Sequence, residues 1–160
     1  MPANSENKIK HSIAIYTDGS CHTQLKSGGW AAILFVDREK IVLEGKDDNT
    51  THHRMELTAV IQSLEYLRMN NLLRESINIY SDSQYVVDLV KRKDGFVASN
   101  FLTKRLNSIR NVDLVKELIS FMENPNINFI KIKAHQKLST TDAILNREVD
   151  LLSRKKMRSQ

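Results

Sequence analysis

The chain has 160 residues, 41% of them hydrophobic and 27% charged, the make-up of one soluble globular domain large enough to bury most of its apolar surface. Its single cysteine, Cys21, cannot close an intramolecular disulfide, no apolar run of signal-peptide length opens the chain, and no stretch approaches the roughly 20 apolar residues that span a bilayer; the expectation is a cytoplasmic protein with no membrane attachment. The net charge of +5 is unevenly placed: residues 91–116 hold seven basic side chains against two acidic ones, residues 154–158 add four cations, and the remainder is net acidic. An acidic body with two basic outworks suits a polyanionic partner and a site that holds cations, although for the tail alone a solvated charged face is the simpler reading.

Two prolines, five glycines and no internal repeat leave nowhere to divide the chain, so residues 1–160 are expected to form a single domain with residues 1–8 and 155–160 flexible. Residues 9–17 read as a strand, with Ile13, Ile15 and Thr17 on one face and Ala14, Tyr16 and Asp18 on the other, stopping at Asp18-Gly19-Ser20. Gly28-Gly29 opens a second strand over 30–37, and a third over 40–45 follows a turn at Arg38-Glu39, which together make an antiparallel meander. From Arg54 to Met69 the period changes, with Leu57, Val60, Ile61, Leu64 and Leu67 forming the apolar stripe of a helix. A short strand over 76–81 is followed by Asp82-Ser83 as the cap of a helix over 84–91, then by helical stretches over 97–106 and 112–122, a strand over 127–133 and a helix from Thr141 to about Met157. The order implies an α/β fold: a five-stranded mixed sheet, a three-strand antiparallel meander plus two parallel strands, flanked by helices.

Four carboxylates fall at informative places on that skeleton: Asp18 at the end of the first strand, Glu56 in the first turn of the first helix, Asp82 at the end of the fourth strand, and Asp150 inside the last helix among Val149, Leu151 and Leu152. If the first and fourth strands lie parallel and adjacent, Asp18 and Asp82 project from the sheet edge where α/β proteins place their sites. Carboxylates so close require cations, and hard oxygen ligands suit Mg²⁺ or Mn²⁺; a pair of such ions stabilises both the attacking and the leaving oxygen of an in-line phosphoryl displacement. Zinc does not fit one cysteine and five scattered histidines. Each acid also has an ordinary structural role, as turn residue, first-turn acid, helix cap or surface ion-pair partner respectively.

The words around these acids decide between the two. Tyr16-Thr17-Asp18-Gly19-Ser20-Cys21 with Gly28-Gly29-Trp30-Ala31-Ala32-Ile33-Leu34, Thr50-Thr51 before Arg54-Met55-Glu56-Leu57, Tyr80-Ser81-Asp82-Ser83-Gln84-Tyr85-Val86, Asn111-Val112-Asp113-Leu114, Lys133-Ala134-His135 and Asn146-Arg147-Glu148-Val149-Asp150 stand in an order and at spacings that resemble the type 1 ribonuclease H family, over nearly the whole chain. The resemblance implies the ribonuclease H-like fold and an endoribonuclease that hydrolyses the RNA strand of RNA/DNA hybrids by a two-metal-ion mechanism, leaving 5′-phosphate and 3′-hydroxyl ends. Asp18 would bridge two Mg²⁺ ions, with Mn²⁺ as a substitute; Asp150 would complete the ion that activates water, and Asp82 with Glu56 would hold the ion facing the leaving oxygen. His135 matches a histidine that assists proton transfer or product departure, help typically worth about 10² to 10⁴ in rate.

By the same resemblance main-chain groups near Gly19, Ser20 and Cys21 and the side chain of Gln84 would face the minor groove of the substrate, where 2′-hydroxyls distinguish RNA, Asn146 would also bind substrate, and Thr51 would grip a DNA phosphate. Lys91, Arg92, Lys93, Lys104 and Arg105 match a basic protrusion that follows the DNA backbone, with steep salt dependence as the consequence. Three departures fall among the substrate contacts: the segment His22-Thr23-Gln24-Leu25-Lys26-Ser27 replaces a proline- and glycine-rich loop, His52-His53 replaces paired asparagines and is expected to face substrate or solvent rather than metal, and the protrusion has Phe96 and Phe101 in place of tryptophans. The expected partner is the hybrid duplex, acted on by a free-standing monomer with no organic cofactor. A DNA-cutting nuclease on the same fold and a catalytically silent hybrid-binding module are the competing readings; a sugar-kinase-like enzyme needs a second domain for which 160 residues leave no room.

Overall fold

The structure, a computed structural model, describes residues 12–134 and 137–159. Five strands, β1 (Ser12–Cys21), β2 (Gly28–Val36), β3 (Glu39–Asp47), β4 (Ser76–Ser81) and β5 (Ile127–Lys131), form one sheet in the order β3-β2-β1-β4-β5. The first three are antiparallel neighbours, while β1 with β4 and β4 with β5 run parallel. This is the five-stranded mixed α/β sheet expected, with β1 at its centre.

The alternation along β1 divides two cores. Ile13 and Ile15 point into the larger one, beneath α1 (His52–Met69), α2 (Gln84–Lys91) and α4 (Val112–Phe121); Ala14 and Tyr16 point into a smaller one beneath α5 (Thr141–Arg158). The α1 stripe of Leu57, Val60, Ile61, Leu64 and Leu67 is buried in full, each side chain contributing roughly 1.5–3 kcal/mol of apolar burial. A short α3 (Lys93–Ala98) follows α2. Among the described residues no helix is long and apolar enough to cross a membrane.

Several boundaries differ from expectation. β1 does not stop at Asp18 but continues through Gly19 and Ser20 to Cys21, because β2 pairs with it over that whole length, Cys21 opposite Gly28. The β2–β3 turn is at Asp37 and Arg38, one residue early; both take left-handed φ, 49° and 68°, the twist that two-residue hairpins require. The helix expected over 97–106 does not form. Ser99 ends α3, and Asn100 and Phe101 are left-handed at φ 53° and 58°, so the chain turns back and meets itself at a Leu102–Ser108 bridge. Phe101 donates its N–H to the Phe96 carbonyl at 2.8 Å and stacks on the Phe96 ring at 6.2 Å, and this Schellman-type closure outweighs the helical preference of the segment. The residues from 155 onward, expected to be flexible, continue α5 to Arg158, and Lys46 Nζ donates to the Ser159 carbonyl.

Candidate active site

Parallel pairing of β1 with β4 brings Asp18 and Asp82 to the same end of the sheet, where α5, packed on one face, carries Asn146 and Asp150 into the same cavity. These four side chains line a cavity of about 370 Å³, with His52 of α1 at its border. Gly19 sets the approach of strand to helix: a Cβ there would lie 2.4 Å from the Glu56 nitrogen and the Met55 carbonyl carbon, so only glycine lets β1 lie on the α1 backbone beside Glu56.

Asp18 is 7% exposed and accepts the Gly19 N–H at 2.8 Å. Its carboxyl is pushed up to about 9, first by burial, then by the charge of Asp82 and by a hydrogen bond shared with Asp150; the Gly19 N–H opposes this only in part. The other acids are restrained by protein donors. Asp82 accepts from Asn146 Nδ2 at 3.3 Å, Asp150 from Arg154 Nε at 3.0 Å, and Glu56 from Ser83 Oγ at 2.5 Å and from His52 Nε2 at 2.6 Å. The Glu56 contact also raises the His52 imidazole above its ordinary value, against the effect of its burial.

The ordinary structural roles of these acids are mostly taken by other groups. Ser83, not Asp82, caps α2, accepting the Val86 N–H at 3.2 Å. Because Thr51 caps α1 and the helix begins at His52, Glu56 is its fifth residue and not a first-turn acid as expected. Asp150 alone has the expected ion pair. Glu56 does not line the cavity; His52 does, and it holds one carboxylate oxygen of Glu56.

Among the described residues no three His, Cys, Asp or Glu side chains form a ready-made metal cage. The donor chemistry nonetheless fits hard divalent cations: a carboxyl pushed up by burial and by two neighbouring carboxyls is the arrangement a divalent ion relieves.

The expected substrate residues divide into two groups. Gly19, Ser20, Cys21, His52 and Asn146 line the cavity; Ser20 Oγ pairs with Ser153 Oγ at 2.7 Å, and Cys21 Sγ reaches the Thr50 carbonyl at 3.5 Å, its thiol pushed up by burial. Thr51, His53 and Gln84 lie outside it: Thr51 Oγ1 accepts the Arg54 N–H at 3.2 Å, His53 stacks on Tyr85 at 3.9 Å, and Gln84 Nε2 donates to Asp88 at 2.7 Å. Lys91, Arg92, Lys93, Lys104 and Arg105 lie apart on the protrusion, where Lys93 Nζ donates to the Met122 carbonyl at 3.2 Å and Arg92 covers the Phe96 ring. His135, the expected proton-transfer helper, lies outside the described residues.

Sequence reasoning missed Arg154, Lys133 and Arg147, which also border the cavity, and the bidentate grip of Arg54 on Asp113 at 2.9 and 2.8 Å, which holds that carboxyl down to about 2. Arg54 and Asp113 each stood in a quoted motif, but 59 residues apart nothing paired them.

Comparison with known proteins gives one consistent family. The RNase H family model matches residues 10–158. The ribonuclease H of Caldicellulosiruptor saccharolyticus is 35% identical over 136 residues, 84% of this chain and 88% of that protein. The ribonuclease H of Wolbachia sp. subsp. Drosophila simulans is 35% identical over 147 residues, 91% and 95% of the two chains. Among solved structures, LC9-RNase H1, a type 1 RNase H with the type 2 active-site motif, superposes with TM-score 0.76 at 18% identity, over 91% of this chain and 72% of that one. LC11-RNase H1 in complex with RNA/DNA hybrid gives TM-score 0.62 at 19% identity, over 91% and 96%. A foamy viral protease-reverse transcriptase in complex with RNA/DNA hybrid gives TM-score 0.77 at 15% identity, over 93% of this chain but 20% of that one. At such identities the structural likenesses bear on the fold.

Proposed function

The chain belongs to the ribonuclease H family and is a ribonuclease H enzyme, and from that premise we propose that it hydrolyses the RNA strand of RNA/DNA hybrids internally, with divalent cations, leaving 5′-phosphate and 3′-hydroxyl ends. One observation supports the site assignment: Asp18, buried at the end of β1, lines the same cavity as Asp82 and Asp150, three carboxyls brought together from β1, the end of β4 and α5. Asp18, Asp82 and Asp150 would hold the cations, and Glu56 would join them on release from His52. Two Mg²⁺ ions, or Mn²⁺ in their place, would supply Lewis-acid stabilisation of the phosphoryl group and ease deprotonation of the attacking water.

The protein's own contribution is positioning. Asn146 fixes the Asp82 carboxylate through its amide, and the sheet and α5 supply rigid supports for Asp18 and Asp150. The attacking water gives up a proton as its oxygen forms the new bond to phosphorus, the bond to the 3′-oxygen breaks, and that oxygen takes up a proton; by the sequence resemblance His135 would assist this proton exchange. Gly19, Ser20, Cys21, His52 and Asn146, inside the cavity, face the RNA strand. Thr51, His53 and Gln84, outside it, and the protrusion cations serve the wider duplex.

The test is a panel of RNA/DNA hybrid, duplex DNA, duplex RNA and single strands, each in Mg²⁺ and in Mn²⁺. Hybrid-selective cleavage with 5′-phosphate products is expected, and Asp18→Asn is expected to lower it at least about 10³-fold. Cleavage of duplex DNA at a comparable rate, tight hybrid binding with no cleavage in either metal, or an Asp18→Asn variant close to the parental rate would each overturn the reading.

A further inference from the structure

The cavity is not uniformly acidic. Three cations border it, Lys133, Arg147 and Arg154, and they differ in what they hold. Arg154 is committed to Asp150 at 3.0 Å. Lys131, two residues before Lys133, turns inward and donates to the carbonyls of Asp82 and Ile132 at 2.8 and 3.3 Å. Glu148, beside Arg147, is taken by Lys40 at 2.6 Å. Among the described residues Arg147 and Lys133 have no carboxylate partner, and both are exposed.

Their placement relative to the acids follows from helix geometry. Arg147 precedes Asp150 by three residues, so the two side chains leave the same face of α5 about 5–6 Å apart at their Cβ atoms. Asp150 already has the guanidinium of Arg154, and no ion pair to Asp150 involves Arg147 among the described residues. Lys133 follows β5, and Arg147 is the seventh residue of α5; both border the cavity. Two cations with no carboxylate partner among the described residues, beside a carboxylate cluster, suit an anion held next to the reacting group, and a guanidinium fork suits phosphate oxygens in particular.

We infer that Arg147, assisted by Lys133, forms a phosphate clamp for the RNA strand, gripping a phosphodiester next to the one that is cut. The inference rests on the proposed activity on hybrids. The clamp acts in binding, so its loss falls on KM. It is separate from the protrusion, which lies apart from the cavity.

The experiment measures hybrid cleavage by the full chain in Mg²⁺ over a KCl series, for the parent, Arg147→Gln, Arg147→Lys and Lys133→Gln. Removing one phosphate-binding cation should lower the slope of log(kcat/KM) against log[KCl] by about one. Arg147→Gln should raise KM roughly three- to ten-fold, with most of the loss in KM and not in kcat, and Arg147→Lys should keep the parental slope. A second arm places a single neutral methylphosphonate at successive linkages, first in the RNA strand and then in the DNA strand. One RNA linkage beside the cut should raise the parental KM and have no further effect in Arg147→Gln. An unchanged salt slope in Arg147→Gln, additive effects at every RNA linkage, or coupling to a DNA linkage alone would overturn the clamp while leaving the proposed activity standing. A parent that does not cleave hybrid would overturn both.

Discussion

Asp18 is where folding and chemistry oppose each other. Its carboxyl, pushed up to about 9 by burial and by Asp82 and Asp150, keeps a proton in the folded protein that it has lost in the unfolded chain at any pH well above 4. Between those limits the native state binds the extra proton, so stability without metal falls as pH rises. In EDTA the melting temperature of the parent should therefore decline from pH 5 to pH 9, while Asp18→Asn, which cannot ionise, should show a flatter profile and lie above the parent at pH 8. Mg²⁺ should recover the parent and leave the variant where it was. Parallel profiles in EDTA would mean that the carboxyls do not interact as the geometry requires. A substitution that stabilises the metal-free protein at Asp18 would then also lower the proposed activity, the exchange expected of a site built for a ligand.

At the scale of elements, α5 matters most, because it carries Asn146, Arg147 and Asp150 over the end of the sheet. Its first turn is tied down by Tyr16, which is 4% exposed on β1, stacks on Tyr80 at 4.7 Å and donates its hydroxyl to Asp142. Tyr16→Phe keeps the ring and removes one part-buried bond to a carboxyl, at a cost of about 1–2 kcal/mol. That should lower the melting temperature by roughly 3–6 °C and raise amide exchange first at the start of α5; exchange that rises only globally would count against the tie. The sequence showed α5 and placed Tyr16 on its correct face, but not this bond, since 126 residues separate its ends. The same limit governs the rest. Period and turn chemistry are local, so the α1 stripe, the meander and β4 were legible, and motif order singled out Asp18, Asp82 and Asp150, which share one cavity, with Glu56 outside its lining. What was not legible depends on partners far away in the chain: β1 runs on to Cys21 because β2 lies beside it, and the protrusion folds back because Phe96 and Phe101 meet.

Over the whole molecule the charge divides as the composition indicated, into an acidic body containing the site and a basic outwork that starts at the end of α2 and continues through α3 and the reversed segment to α4. The structure refines which cations are available to a ligand. Lys93 is turned to the Met122 carbonyl, and Arg92 and Lys116 lie over the rings of Phe96 and Phe101. Lys104 and Arg105 instead occupy the tip between the bridged residues Leu102 and Ser108, exposed to solvent. If the tip meets the DNA strand, Lys104→Gln with Arg105→Gln should reduce the salt slope of hybrid cleavage by about two, because each cation releases about one counterion on binding phosphate. Saturating hybrid should restore the parental kcat, since neither residue is near the cavity. The loss should be the same whichever RNA linkage is neutralised, which separates the tip from Arg147. A double variant with the parental salt slope would move the DNA strand away from the protrusion tip and leave the cavity chemistry untouched.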